Sequence, residues 1–218
     1  MNPDLLRSEF LGVTLRFDAV DLPRDEVASF FADVSGAYDL PRLEFAEEGG
    51  ATLSDPDGAE LVLRPTQIAC GGVVRLGYQE GRERIDGLVG DAVTRFGIEP
   101  FWLEDITLVA TWDLEDEGAG RALIIDDIVR FDADRVAMLG EPDDDLSLGL
   151  RIWRSLGEGS IDCSIEPMHA DPSRIYLRVV YSQREIDMDF AGVLATMDEV
   201  NACLRGPLRT FVMAVARH

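Results

Sequence analysis

Apolar and polar residues follow two different periods along the chain, and the order of these periods predicts an α+β fold. Residues 11–18 alternate between apolar and polar side chains, which is typical of a strand with one buried face. Residues 106–113 alternate in the same way, and Trp112-Asp113 stands where Phe17-Asp18 stands in the first segment. We therefore predict that two corresponding strands begin the two halves of the chain.

In the first half, two segments show the helical period. Asp21 and Pro23 are residues that favour the first turn of a helix, and apolar residues recur at helical spacing over 27–34. We expect this helix to end at Ser35-Gly36. A second apolar stripe, over residues 85–96, predicts a longer helix that the following glycine would close.

The second half is assigned two helices on similar grounds. Residues 121–129 are predicted to be helical by analogy with the first half, although their β-branched side chains also suit a strand. Residues 190–215 carry one continuous apolar stripe, which is interrupted by Gly206-Pro207. Because proline removes a helix hydrogen bond, we expect this closing helix to kink or restart there.

Each half also contains a predicted β-hairpin before its last helix. The clearer hairpin joins residues 163–167 to residues 174–181 through a turn at Asp171-Pro172-Ser173. The fainter hairpin joins residues 61–65 to residues 73–78 through Gly71-Gly72. Aligning the two hairpins matches Pro65 with Pro167, Arg75 with Arg178 and Tyr78 with Tyr181. Further strands are predicted at residues 42–46, 51–53 and 146–153, with an acidic loop at 141–145.

Each half therefore consists of a strand, a helix, several antiparallel strands and a longer helix. We predict a single domain, residues 1–218, made of two β-α-β-β-β-α pseudo-repeats at about 9–97 and 104–217. Together the halves would form one curved antiparallel sheet with helices on one face. This tandem arrangement resembles the saddle-shaped TATA-binding-like sheets and, more loosely, the helix-grip folds. The resemblance is one of topology, and no motif assigns the chain to a family.

The charge narrows the possible partners. The chain has 20 arginines, no lysine and 42 acidic residues, so its net charge is −22 at pH 7. Such a surface repels phosphate backbones and anionic headgroups, and we expect neither nucleic acid nor a membrane as a partner. The negative charge favours a basic protein as partner; the alternative is that the charge serves solubility alone. The three cysteines, Cys70, Cys163 and Cys203, lack any C-x-x-C spacing, and no signal peptide precedes them, which favours free thiols in a cytoplasmic protein.

The sequence shows no motif for catalysis, metal or a cofactor. His169 forms a His-x-Asp pair with Asp171, but Asp171 also suits the turn, and no nucleophile motif accompanies the histidine. The acidic run 143–145 lacks the glycine and distant glutamate of a calcium loop. We therefore predict no catalytic residue, no metal site and no cofactor.

The candidate binding residues are Arg75, Arg151, Trp153, Arg178 and, as a turn residue, His169. In the aligned hairpins each arginine precedes its tyrosine by three residues, so the arginine would point to the open face of the sheet. There Arg75 and Arg178 would either contact an anion together or offset carboxylates on neighbouring strands. Trp153 shares the polar parity of Arg151. An exposed tryptophan beside arginine is typical of a protein-contact hot spot, and a tryptophan covered by a loop is the alternative.

These observations favour a non-catalytic binding or adaptor protein that presents an acidic-rimmed open sheet face to a protein partner, which the charge predicts to be basic. One alternative is a small-molecule binder with an apolar cavity between the sheet and the C-terminal helix. An enzyme that depends on carboxylates alone is the least supported, because no spacing singles out a carboxylate pair.

Overall fold

The computed structural model describes residues 5–114, 119–130, 148–171 and 173–215, and these form an α+β fold. The strands are β1 Leu6–Phe17, β2 Arg42–Phe45, β3 Ala51–Ser54, β4 Glu60–Arg64, β5 Gln67–Val73, β6 Phe101–Asp113, β7 Leu150–Leu156, β8 Gly159–Pro167, β9 Arg174–Gln183 and β10 Asp187–Met188. The helices are α1 Arg24–Tyr38, α2 Tyr78–Phe96, α3 Ala119–Ala122, α4 Phe190–Cys203 and α5 Arg209–Val215, with π-helical turns at Leu123–Val129 and Leu204–Leu208.

All ten strands join one open antiparallel sheet. Its order is β2-β3-β4-β5-β1-β6-β9-β8-β7, and β10 pairs with one end of β6. The long strands β1 and β6 are neighbours at the centre, with Leu11 opposite Leu108 and Phe17 opposite Phe101. Each is flanked on its other side by the last long strand of its own half, β5 beside β1 and β9 beside β6. The two halves therefore meet along the β1–β6 seam.

One face of this sheet is buried, as the alternation along the strands predicts. On β1 and β6 the covered side chains are Leu11, Val13, Leu15, Phe17, Leu108 and Trp112. Helix α2 lies on this face, because Gly81 of α2 comes so close to Leu11 and Val74 that a Cβ there would contact both side chains. The interior between sheet and helices is a continuous apolar core.

The closing helix has the predicted apolar stripe, and its interruption is a change of helix type. Val193, Met197 and Val200 of α4 are fully buried. Pro207 lies inside the π-helical turn Leu204–Leu208, and α-helix resumes at Arg209. The wider π-helical turn accommodates a residue that has no N–H to donate. Within the described residues, no helix is both long and apolar enough to cross a membrane.

The first hairpin differs from its prediction, which was wrong about the turn. The turn lies at Pro65-Thr66, and Gly71-Gly72 lie inside β5, where they pair with Gly12 and Leu11. Glycine is needed in this strand because the Phe10 ring folds over it: a Cβ on Gly71 would lie 2.9 Å from Phe10 Cζ. The prediction was wrong because a pair of glycines, which is typical of a turn, lies inside strand β5.

This shift also removes part of the proposed alignment. Arg75 lies in the connection after β5, and Tyr78 is the first residue of α2. Arg178 and Tyr181 instead lie within β9, with Arg178 exposed and Tyr181 buried on the covered face. Arg75 and Arg178 are consequently not at equivalent strand positions.

The remaining differences concern element ends. Helix α1 continues past Ser35-Gly36 to Tyr38. Tyr38 packs against α2, where its hydroxyl occupies the space that a Cβ on Gly87 would need. Asp39 then ends the helix in the left-handed conformation, with a φ of 53°. Residues 121–129 are helical, as predicted, and the hairpin of β8 and β9 has its predicted turn. The acidic loop at 141–145, the first two residues of the strand predicted at 146–153, and Pro172 lie outside the described residues. The strand found in this part of the chain is β7.

Candidate functional site on the open face of the sheet

The face opposite the covered one, here called the open face, extends over β5, β1, β6, β9, β8 and β7. Its side chains form rows across the strands, because each antiparallel register brings side chains of the same parity together. One central row is Val73, Phe10, Val109, Arg178, Ser164 and Arg151, and the next is Gly71, Gly12, Thr107, Val180, Asp162 and Trp153. The open face thus brings together three of the predicted site residues, Arg151, Trp153 and Arg178.

Arg178 lies at the centre of the open face and is exposed. It stands between Val109 of β6 and Ser164 of β8. In the part of the chain that the structure describes, no carboxylate lies within 4 Å of its guanidinium. Its positive charge nevertheless contributes to lowering the pKa of two nearby carboxyls, Asp105 and Asp162. Arg178 is therefore a cation that remains available for a ligand.

The pKa values of Asp105 and Asp162 are shifted in opposite directions, because a different influence is the largest at each carboxyl. Burial raises the pKa of Asp105, against the hydrogen bond from Thr14 and the weaker attraction of Arg178. The hydrogen bond from Arg151 lowers the pKa of Asp162. Burial thus disfavours the charged form of Asp105, whereas the ion pair with Arg151 favours the charged form of Asp162.

Two depressions of the open face meet at Arg178. One, of about 380 Å³, is lined towards β7 by Gly149, Arg151 and Glu166. The other, of about 340 Å³, is lined towards β1 by Phe10 and Asp105 and by the glycines that Phe10 overlies. Because Gly12 and Gly71 have no Cβ, the Phe10 ring can pack directly against their backbone, and this ring forms part of the wall of the second depression.

Arg151 is held in place by Asp162 on the neighbouring strand. Its Nε donates to both carboxylate oxygens of Asp162, at 2.8 Å to Oδ1 and 3.0 Å to Oδ2, and its Nη2 donates to Oδ2 as well. A bidentate pair of this kind fixes the plane of the guanidinium. Arg151 therefore presents an oriented but neutralised group next to Trp153.

Trp153 is the most exposed aromatic side chain of this face, at 70%. It borders a depression of about 560 Å³ whose other wall includes Ile186 and Arg184. The floor is a row of small hydroxyl side chains across three strands, Ser182, Ser160 and Ser155. Its exposure agrees with the parity of the strand, and no residue in the described ranges covers it.

The open face is nearly balanced in charge, unlike the chain as a whole. Its strands present five arginines and six carboxylates: Arg7, Arg16, Arg151, Arg174 and Arg178, with Glu9, Glu104, Asp105, Asp113, Asp162 and Glu166. Several of them are paired, for example Arg16 Nε with Glu104 Oε2 at 2.8 Å. Exposed carboxylates such as Glu158 and Glu185 lie in the turns at the edge of this face.

Two predicted site residues lie away from this face's centre. Arg75 is in the connection between β5 and α2, where it forms an ion pair with Asp57. His169 is exposed in the turn between β8 and β9. Asp171 does not orient this histidine; its Oδ1 accepts hydrogen bonds from the Ser173 hydroxyl at 2.5 Å and the Ser173 N–H at 3.2 Å. The turn interpretation of the His-x-Asp pair is the one the contacts support.

The contribution of β1 and β6 to this site was not predicted from the sequence. Phe10, Thr14, Asp105 and Thr107 line the depression at Arg178. Their polar parity was visible in the predicted strands, but the register that places Thr14 opposite Asp105 was not.

Comparison with known proteins gives no assignment. No protein-family model matches the chain, and no curated protein matches its sequence. Among the described residues, no group of three or more histidine, cysteine, aspartate and glutamate side chains is placed to hold a metal ion. The function must be argued from the open face itself.

Proposed function

We propose that the protein is a non-catalytic binding or adaptor protein whose open face holds a protein partner. The observation that carries this proposal is the exposure of Trp153 on the same face as the oriented Arg151 and as Arg178, which has no ion pair among the described residues. Tryptophan and arginine are enriched among the residues that dominate binding energy at protein interfaces. A partner that covers this face would bury the indole and give Arg178 an acceptor.

The chemistry of the partner follows from the difference between the open face and the rest of the chain. A net charge of −22 steers basic proteins towards the molecule. The nearly balanced open face then allows contact without a large desolvation cost for unpaired carboxylates. The proposed partner therefore has a basic surface and contributes apolar side chains, with one acidic group for Arg178.

We propose in addition that the two halves are structural repeats with TATA-binding-like topology. The support is that the first strand of each half is central and its last long strand pairs with it, β5 with β1 and β9 with β6. The test is a superposition of residues 9–97 on residues 104–217. A common strand order with matched Cα positions supports the repeat, whereas unrelated chain paths reject it.

The packing supports the alternative of a cavity under the closing helix less well. Met197, Val200 and Leu204 face the sheet and are fully buried. Side chains that fill this space leave the open face as the better-supported binding surface.

The experiment is capture of a partner from a lysate of the native host by the immobilised protein. Trp153→Ala should weaken the recovered partner's affinity by about 30-fold or more, as expected of a hot-spot residue. Phe211→Ala is the matched control, because Phe211 is a partly exposed aromatic of the closing helix, at 39%. Binding that falls as salt rises identifies a basic partner.

Two results would count against the proposal. A partner retained by the Trp153 variant but lost by the Phe211 variant would place the binding surface on the helices. A partner that is retained undiminished by both would exclude Trp153 as an anchor.

A further inference from the structure

A notch interrupts the sheet where β5 leaves it. Val73 is the last residue of β5 and pairs with Phe10, and the N–H of Val74 donates to the Glu9 carbonyl at 3.0 Å before the chain turns into α2. Residues 6–8 of β1 therefore pair with β6 on one side only, as far as the described chain extends. The resulting depression of about 510 Å³, here called the β5 notch, is bounded by the start of β1, the β5–α2 connection and the π-helical turn of the closing helix.

The β5 notch concentrates positive charge in a strongly acidic chain. Arg7, Arg75 and Arg205 line it, and Glu9 is the one carboxylate among its described lining residues. Two of these arginines come from the two longest stretches of the sequence without an acidic residue, 61–79 and 200–218, which are 19 residues each. The fold thus brings together at one point the least acidic parts of the chain.

The arginines of the notch are positioned without being fully neutralised. Arg205 Nη2 donates to the Ser8 hydroxyl at 3.2 Å and Arg205 Nε donates to Asn201 Oδ1 at 3.3 Å. Both acceptors are uncharged, so the guanidinium is oriented and keeps its charge. Arg7 is exposed and has no ion pair within the described residues. Only Arg75 is paired, with Asp57.

Glu9 keeps its negative charge, and its carboxylate is held in place by a neutral donor. Its Oε1 accepts a hydrogen bond from the Thr111 hydroxyl at 2.6 Å. Two guanidinium groups that have no ion pair among the described residues, Arg7 and Arg205, therefore share the notch with one carboxylate. Guanidinium groups recognise carboxylate and phosphate oxygens in preference to other acceptors.

An apolar surface adjoins the cationic one. Leu76 lines the notch and is 89% exposed, more than any other large apolar side chain in the described residues. Its backbone is held by a hydrogen bond from its N–H to Glu80 Oε2 at 2.7 Å. Val73, also in the lining, is 44% exposed. Leucine presented in this way on an ordered connection is free to cover an alkyl chain.

We propose that the β5 notch binds an anionic group, carboxylate or phosphate, that is joined to an apolar chain. Arg7 from the open-face side of β1 and Arg205 from the helix side bind the anion across the unpaired edge of residues 6–8, and Leu76 and Val73 contact the alkyl chain. The site is separate from the surface around Trp153, and it stands whether or not the open face binds a protein.

The experiment is calorimetric titration of the full chain with four ligands: dodecanoate and dodecyl phosphate below their critical micelle concentrations, dodecanol below its solubility limit, and inorganic phosphate. About 0.15 M salt limits the screening length to about 8 Å, so that distant carboxylates contribute little. We expect one molecule of dodecanoate or dodecyl phosphate to bind per chain, inorganic phosphate to bind more weakly, and dodecanol to bind at least about 10-fold more weakly, because it lacks a charge-assisted hydrogen bond. The tighter of the two alkyl anions identifies the headgroup.

Three variants, each with a matched control, assign the binding to the notch. Arg7→Gln and Arg205→Gln should each weaken dodecanoate binding by about 10-fold or more, whereas the exposed Arg184→Gln serves as the control. Arg7 is the safer of the two, because it makes no contact that folding needs. Leu76→Ser should weaken dodecanoate and leave inorganic phosphate unchanged, with the exposed Ile186→Ser as its control.

Three results would overturn the proposal. Equal binding of dodecanol would show an apolar site without anion recognition. Undiminished dodecanoate binding by the Arg7 and Arg205 variants would place the anion elsewhere. No binding of either alkyl anion to the native chain would reject the site.

Discussion

The two faces of the sheet are built from the same strands but are used differently. Val179 and Val180 are consecutive on β9, yet Val179 is fully buried under the helices and Val180 lines the depression beside Arg178. The difference arises from the two-residue period of the strand alone. The covered face therefore holds the fold together, and we expect substitutions on the open face to change stability less.

The polar groups of the two faces differ in whether they bond to other parts of the fold. On the helix side, the Tyr78 hydroxyl donates to Asp198 Oδ1 at 2.8 Å, and Arg82 Nε donates to the same oxygen at 3.0 Å. These bonds join α2 to α4 and hence one half of the chain to the other. On the open face, Arg178 has no such partner among the described residues. Polar groups on the helix side join the helices, whereas the central one on the open face contributes no such link among the described residues.

The largest expected effect comes from the same substitution at adjacent positions of β9. Val179→Ala should lower the free energy of unfolding by about 2–3 kcal/mol, because it removes buried methyl groups and leaves a cavity. Val180→Ala should lower it by less than about 1 kcal/mol, because its side chain is only half-buried. Urea denaturation of both variants measures the difference. Equal losses would show that the open face is as much a part of the core as the covered one.

A smaller effect is expected from the polar link between the halves. Tyr78→Phe should lower the free energy of unfolding by about 1 kcal/mol, the usual contribution of one hydrogen bond. Burial first, and then the bond to Asp198, raises the pKa of Tyr78 well above that of a free tyrosine. Stability from a raised pKa is complete below the unfolded-state value of about 10 and is lost as pH rises beyond it.

The pH dependence distinguishes this link from simple packing. The difference between the native chain and Tyr78→Phe should shrink as the pH of the urea titration is raised above about 10. Some loss of stability with pH should remain in the variant, because the pKa values of Tyr38 and Tyr181 are also raised, chiefly by burial. A difference that is constant with pH would show that the hydroxyl contributes nothing through ionisation.

The covered face was predictable from the sequence because burial leaves a periodic trace. The alternation in β1 and β6 and the stripes in α2 and the closing helix each identified the residues that face the core. Glycine was misleading, since Gly71-Gly72 resembles a turn, but Gly71 allows the close approach of Phe10 and Gly72 that of Ala59. The composition of a short segment does not reveal which neighbour requires the absence of a side chain.

On the open face, the sequence predicted which side chains of a single strand are exposed, but not which side chains of different strands lie together. Parity correctly indicated that Trp153, Arg151 and Arg178 are exposed, and each was inferred from its own strand. The meeting of Thr14 with Asp105, 91 residues apart in the chain, depends on the register of β1 against β6. No local pattern specifies that register, so the depression at Arg178 and the β5 notch were not anticipated.

The smallest expected effect concerns the unpaired arginine. Arg178→Gln should change the free energy of unfolding by no more than about 0.5 kcal/mol, because no ion pair is lost. It should, however, raise the pKa of Asp105 and of Asp162, since the charge of Arg178 lowers both. Carboxyl carbon shifts in an NMR titration measure these values. The rise should be partial at Asp162, where the hydrogen bond from Arg151 remains the larger influence.

Arg16→Gln is the matched control for this variant, because Arg16 is an open-face arginine that is paired with Glu104. It should leave the pKa of Asp162 unchanged, since Arg16 is not among the groups that act on that carboxyl. If Arg178→Gln destabilises the fold as much as Tyr78→Phe does, Arg178 is a structural residue and the distinction between the two faces fails at its centre. If Arg178→Gln leaves stability intact while the carboxyl pKa values rise, folding does not need the charge of this guanidinium, as the proposed binding role requires.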